Sequence, residues 1–211
     1  MILPAAGFGR RVGSPEAKEM LMVRGLRGQR EPMIAYALRV ARRHHLATHV
    51  IVRKEKKSLI EYLKQCSRNQ EISWQIVRPT KEWPDTVLAS EKFWRRKNIV
   101  CLPDTRFRPQ KIVQKMNVEL DRHAVVWSVF RARDLRSWGV VDAAAKQHAE
   151  KPQAWHSTAR PWGLFGFQKA YGRRVLSSLL ASTLAEGDAK WRELRFRQKV
   201  CGLEGFWDLA R

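Results

Sequence analysis

Met1-Ile2-Leu3-Pro4-Ala5-Ala6-Gly7-Phe8-Gly9-Arg10-Arg11 opens the chain, and Lys18-Glu19-Met20-Leu21 follows at a short interval. The apolar lead, residues 1–4, reads as a strand, and the small residues and glycines after it as a tight turn. At Gly7 and Gly9 no Cβ obstructs a backbone N–H from approaching a phosphate chain. Arg11, with its planar fork, and Lys18, a compact point charge, are the candidates to neutralise that chain. Two better-known phosphate loops are excluded by spacing: the dinucleotide fingerprint needs glycine where Val12 stands, and the P-loop needs a Gly-Lys-Ser/Thr that the chain lacks.

Outward from this loop, short β-branched runs alternate with amphipathic stretches. The pattern predicts strands over residues 1–4, 48–53, 72–77, 98–102, 124–131 and 161–167. Residues 32–45 place Ile34, Ala37, Leu38 and Ala41 at i, i+3, i+4 and i+7, which predicts a helix with one buried face. Further helices are expected over 56–66, 85–95, 109–122, 169–182 and 188–197, and residues 25–30 read as a flexible basic turn. The alternation implies an α/β fold, a Rossmann-like three-layer sandwich with a mostly parallel central sheet, whose ligands gather beyond the carboxyl ends of the strands. With 211 residues, 44% of them hydrophobic, the chain can bury one sizeable core, so residues 1–211 are expected to form a single domain.

Forty-one Lys and Arg against 20 Asp and Glu give a net charge of +21, which attracts polyanions. The basic clusters are spread along the whole chain, without zinc-finger spacing or an RNA-recognition aromatic motif, so a basic solvated surface is favoured over a nucleic-acid module. The three cysteines are odd in number and far apart, and Cys101 lies inside an apolar run; all three read as reduced and structural. No signal segment opens the sequence and no apolar stretch reaches the length of a bilayer span, which points to the cytoplasm and away from a membrane. A homo-oligomer is left open.

Two later acids and several glycines stand where a ligand could use them. Asp104 follows the strand at 98–102, where a carboxylate can hold a hard cation such as Mg²⁺ or simply cap a turn. Trp138-Gly139-Val140-Val141 and Glu150-Lys151-Pro152 combine a strand glycine, an acceptor for hydroxyls and a cation for a phosphate. His45 and His49 do not share a helical face as zinc ligands on a helix do, because His49 belongs to the next strand. No serine or cysteine has a nucleophile motif around it.

The first loop with its lysine closely resembles the signature loop of the nucleotidyltransferases that make nucleoside-diphosphate sugars and CDP-alcohols. The resemblance implies that Ala5, Ala6, Gly7, Gly9, Arg11 and Lys18 bind a nucleoside triphosphate, with Arg11 and Lys18 also catalytic. Family members place a proline just before that lysine, where Ala17 stands here, with Pro15 two residues earlier. Glu31-Pro32-Met33-Ile34 is similar to the family's lead into its first helix. Asp104 and, in Trp207-Asp208, Asp208 take the positions of the family's metal-binding acids, which implies Mg²⁺ as cofactor. Gly139, Glu150, Lys151 and Gly163 resemble the residues with which sugar-1-phosphate nucleotidyltransferases hold the sugar and its phosphate. The base-recognition segment is not matched: residues 81–88 are Lys-Glu-Trp-Pro-Asp-Thr-Val-Leu, and Trp83 reads as packing at a helix start rather than stacking on a base.

The implied activity is Mg²⁺-dependent nucleotidyl transfer from a nucleoside triphosphate to a phosphorylated sugar, with pyrophosphate released. One alternative is a cytidylyltransferase acting on an alcohol phosphate such as methylerythritol phosphate, whose first loop is equally similar. Against it, Asp104-Thr105-Arg106-Phe107-Arg108-Pro109 departs from the Asp-Ala-Ala-Arg-Pro of those enzymes. The other alternative is a non-catalytic nucleotide- or nucleic-acid-binding protein on the same fold.

Overall fold

The chain adopts a mixed α/β fold with a central, mostly parallel sheet, seen in a computed structural model that describes residues 1–7, 17–25, 28–67, 72–144, 146–185, 190–194 and 196–208. Two compact units divide it: Met1–Ser90, Val100–Phe107 and Phe206–Arg211 form the first, Glu91–Ile99 and Arg108–Gly205 the second.

In the first unit, β1 (Ile2–Pro4) is followed by a 3₁₀ turn, Lys18–Met20, and by strands β2 (Met22–Arg24) and β3 (Arg30–Pro32). Helix α1 (Met33–Arg43), β4 (Thr48–Arg53), α2 (Lys57–Ser67), β5 (Ile72–Val77) and α3 (Trp83–Leu88) come next. β6 (Lys97–Cys101) gives its last two residues to this unit, and β7 (Thr105–Arg108) gives its first three. β1 runs parallel to β4, with Leu3 opposite Val50, and parallel to β6, with Ile2 opposite Val100. β4 pairs in parallel with β5 from Thr48–Ile72 to Arg53–Val77. All six residues of β4 are buried, the apolar Val50-Ile51-Val52 centre together with the flanking polar Thr48, His49 and Arg53, as expected of a parallel strand covered on both faces.

α1 buries more than the four residues its periodicity singled out. Met33, Tyr36 and Val40 join Ile34, Ala37, Leu38 and Ala41 inside. The basic stretch at 25–30 joins two strands the sequence did not announce: β2 and β3 are an antiparallel hairpin, Val23 opposite Glu31. Gly25 N–H donates to Gln29 O at 2.6 Å, and Gly28 has φ +84°, a left-handed conformation that costs glycine nothing.

The second unit holds α4 (Ile112–Glu119), β8 (Val125–Val129), β9 (Gly139–Asp142), β10 (Gln147–Glu150), β11 (Arg160–Gln168), α5 (Lys169–Leu184), β12 (Arg192–Glu193) and β13 (Gln198–Gly202). β14 (Gly205–Asp208) begins on its last residue and continues into the first unit. β8 lies between β11, antiparallel, and β13, parallel. β9 and β10 form an antiparallel pair that β11 joins on one side and β12 on the other. Trp127, Phe165 and Phe167 are the large aromatic side chains fully buried here, with the Trp127 and Phe165 rings 4.7 Å apart.

Two predicted helices are shorter than expected and one is absent. The helix expected over 85–95 stops at Leu88, where Ser90 Oγ donates to Val87 O at 2.7 Å and the chain turns into a separate 3₁₀ segment, Glu91–Phe93. The one expected over 109–122 is α4, which begins after Pro109 and Gln110 and ends at Glu119. Residues 188–197 are not a helix over their described part: Arg192 and Glu193 pair with His148 and Gln147, and Trp191 packs against the cluster of Leu135, Val140, Ala149 and Ala159. Ladder pairing and apolar burial override the helical propensity of this charged segment.

Candidate functional site

The first unit holds the residues of the opening loop and Asp104. β1 ends at Pro4, and Ala5 N–H donates to Ile51 O at 2.8 Å, so Ala5 and Ala6 are carried into the core, 0% and 2% exposed. At Gly7 an added Cβ would meet nothing within 4 Å among the described residues. Gly9 and Arg11 lie outside the described residues. Ala17 has φ −57°, the value a proline ring imposes, and leads into the Lys18–Met20 turn, which Met20 N–H closes on Ala17 O at 2.8 Å.

Lys18 Nζ donates to Asp104 Oδ2 at 2.5 Å, across 86 positions of sequence. Asp104 is 6% exposed and sits in the short connection from β6 to β7, where Thr105 Oγ1 donates to Leu102 O at 2.8 Å and closes the turn. The next residue along, Glu19, is fully buried and accepts from Lys56 Nζ at 2.6 Å. Burial of Lys56 pulls its pKa below the usual lysine value, against the opposing pull of the Glu19 carboxylate. The Lys18 turn is thereby held on two sides, by Asp104 and by Lys56. Sequence reading missed Glu19 and Lys56, because a lone acid and a lone base 37 positions apart carry no local signal.

Behind Asp104, Tyr36 of α1 fixes β7. Its hydroxyl donates to Phe107 O at 2.6 Å and accepts from Phe107 N–H at 3.3 Å. β7 pairs with β14, so the strand that begins one residue after Asp104 lies beside the strand that ends on Asp208. Oxygen donors of this kind suit a hard divalent cation, for which one or two carboxylates plus substrate phosphates suffice. Among the described residues no group of three His, Cys, Asp or Glu side chains forms a larger metal site.

The second unit gathers the residues assigned to the sugar side. The β9–β10 register sets Gly139 opposite Glu150. A Cβ on Gly139 would collide with Glu150 Oε2 and Trp162 Nε1 and would stand 2.7 Å from Trp162 Cε2. Glycine is therefore required by the packing of Glu150 and of Trp162, a residue read from the sequence as no more than a buried strand aromatic. Glu150 N–H donates to Ser182 Oγ of α5 at 3.2 Å, and Ser182 in turn donates to Lys190 O at 2.5 Å. Lys151 is exposed and takes φ +50°, with its N–H on Trp138 O at 2.9 Å. A left-handed non-glycine residue costs roughly 1–3 kcal/mol, and His45 and Lys146 take the same conformation.

Gly163 lies next to Trp162 on β11. Trp162 pairs with Val129 and Leu164 with Ser128, so Gly163 is the extra residue of a bulge. Ser128 Oγ covers the irregularity by accepting from Leu164 N–H at 2.6 Å. Trp83 opens α3 half-buried, in line with packing at a helix start. Cys66, Cys101 and Cys201 are all free thiols. His148 is a buried structural group: burial, with the Arg192 charge adding to it, lowers its pKa to about 3. Its Nε2 lies 3.1 Å from Ser178 Oγ.

No protein-family model and no curated protein matches the sequence. The three-dimensional structure does find counterparts, and its fold is that of solved sugar-phosphate nucleotidyltransferases and pyrophosphorylases. One is a candidate glucose-1-phosphate thymidylyltransferase from Bacillus anthracis, in complex with a sucrose: TM-score 0.74, 16% identity, 99% of this chain and 88% of that one covered. A second is a UDP-glucose pyrophosphorylase from Acinetobacter baumanii, with TM-score 0.71, 18% identity and coverage of 99% and 87%. A third is HddC from Yersinia pseudotuberculosis, with TM-score 0.67, 15% identity and coverage of 99% and 92%. Among the described residues no helix is long and apolar enough to cross a membrane.

Proposed function

We propose that the protein is a nucleotidyltransferase that couples a nucleoside triphosphate to a sugar-1-phosphate and releases pyrophosphate. The observation that carries this reading is the contact of Lys18 Nζ with Asp104 Oδ2 at 2.5 Å, which unites the lysine of the opening loop with the acid after β6. In the reaction a phosphate oxygen of the acceptor forms a bond to the α-phosphorus, and the bond from that phosphorus to the bridging oxygen breaks, the electron pair leaving with pyrophosphate. A phosphate monoester, with a second pKa of about 6, is largely dianionic at neutral pH, so the chain need not supply a general base.

The chain's task is positioning and positive charge. Ala5, Ala6, Gly7 and Gly9 leave room for the phosphates against the backbone, and the open space at Gly7 supports this, since among the described residues no atom would meet a Cβ there. Arg11 serves the pyrophosphate side and Lys18 the reacting phosphates. Gly139, Glu150 and Gly163 hold the sugar, and Lys151 its phosphate. Asp104 and Asp208 would hold Mg²⁺, which when bound neutralises charge on the phosphates.

A panel of sugar-1-phosphates against the four nucleoside triphosphates with Mg²⁺, scored by pyrophosphate release, tests the assignment. Lys18→Ala should lower kcat on any accepted pair by on the order of 10²-fold, comparable to losing one preorganised donor. A fully active Lys18→Ala enzyme, or a panel with no turnover at all, sinks the reading. Asp104→Asn should abolish metal-dependent turnover.

A further inference from the structure

A pocket of about 280 Å³ opens among β3, α1 and α2, lined by residues that play no part in the function proposed above. Ala35, Leu38, Arg39 and Arg42 line it from α1, where the spacing i, i+3, i+4 and i+7 puts them on one face. Tyr62 and Cys66, one turn apart on α2, form another wall, and Arg30, Glu31 and Pro32 of β3 complete it. Three guanidinium groups thus share the pocket with one carboxylate.

That carboxylate is already committed. Both of its oxygens accept from Arg39, at 2.5 and 2.7 Å, and this hydrogen bonding, against the cost of burial, draws the Glu31 pKa below the usual carboxylate value. Arg30 and Arg42 are exposed and make no side-chain hydrogen bond or ion pair among the described residues. Two positive charges in fork geometry therefore remain unmatched around a concave surface. Burial raises the Tyr62 pKa, so its ring and hydroxyl face the pocket uncharged.

We infer that this pocket is a second anion site, which binds a small organic phosphate monoester. Two unmatched guanidiniums equal the charge of a monoester dianion, and their forks suit phosphate oxygens. Ala35, Leu38, Pro32 and the Tyr62 ring offer apolar contact to the carbon skeleton. The volume lies at the lower end of ligand pockets, which run from about 300 Å³ upward, so the ligand is a small molecule rather than a polymer.

Cys66 reports on occupancy, because it lines the pocket half-exposed while Cys101 and Cys201 are buried. The full chain would be alkylated with iodoacetamide, with or without phenyl phosphate, succinate or a single-stranded oligonucleotide, and modification at Cys66 followed by peptide mass. Phenyl phosphate should protect Cys66 saturably. Arg30→Gln with Arg42→Gln should raise the half-protecting concentration by at least about tenfold, the equivalent of one lost charge-assisted hydrogen bond. Lys18→Ala should leave it unchanged, which separates this site from the proposed reaction centre. The inference is overturned if phenyl phosphate gives no protection, if protection survives the double substitution, or if only succinate or only the oligonucleotide protects. Unreactive Cys101 and Cys201 in every variant confirm that the fold is intact.

Discussion

A methyl group added to Gly139 would stand 2.7 Å from Trp162 Cε2 and press on the Glu150 carboxylate, whereas one added to Gly7 would meet nothing within 4 Å among the described residues. Substitution by alanine therefore separates two kinds of glycine. Gly139→Ala should destabilise the protein by about 1–3 kcal/mol through overpacking, measured by urea unfolding, and weaken acceptor binding as well. Gly7→Ala should unfold at the same urea concentration as the parent within about 0.5 kcal/mol, as expected of an uncrowded position, yet raise KM for the triphosphate. Equal stability loss in both variants would show that Gly7 is kept for packing and not for a ligand.

At the scale of elements, β7, which begins one residue after Asp104, is fixed by Tyr36, whose one hydroxyl serves both backbone groups of buried Phe107. Tyr36→Phe leaves a carbonyl and an N–H without their partner, and should cost about 1–3 kcal/mol of stability. A cost below about 0.5 kcal/mol would mean that water replaces the hydroxyl, as it does for exposed groups. Strands buried on both faces, such as β4, were legible in the sequence as β-branched runs, and α1 as a 3.6-residue period. The hairpin of β2 and β3 and the short strands β10 and β12 were not, because pairing with a partner segment, not local propensity, makes each of them extended. The same difference runs through the site. Lys18 and Asp104 could be picked out because each stands at a recognisable turn after a strand. Glu19, Lys56 and Trp162 could not, since only the folded chain shows that Glu19 is fully buried against Lys56 and that Trp162 lies over Gly139.

For the molecule as a whole, acid stability should carry the signature of His148. Its native pKa is lowered to about 3, by burial first and the Arg192 charge second, from an ordinary value of 6.5. Between those values the unfolded chain binds a proton that the native chain does not, so stability falls as pH falls. The slope from this group is about 1.4 kcal/mol per pH unit through that window, and it vanishes above pH 6.5. Urea unfolding of the parent and of His148→Gln from pH 7 to pH 4 should show the parent losing stability more steeply on acidification. Parallel curves would mean that the imidazole is protonated in the native state.

Phe206–Arg211 belongs to the same compact unit as Met1–Ser90, and β14 supplies the partner of β7. During synthesis, the unit begun first must wait for its closing strand until the intervening hundred or so residues of the other have left the ribosome. At typical rates that interval is roughly 5–20 s, long compared with the folding of a small domain. Through it β7 presents an unpaired backbone edge, a template for wrong partners and for chaperones. Of the two units, the one that carries Lys18 is begun before the other and completed after it.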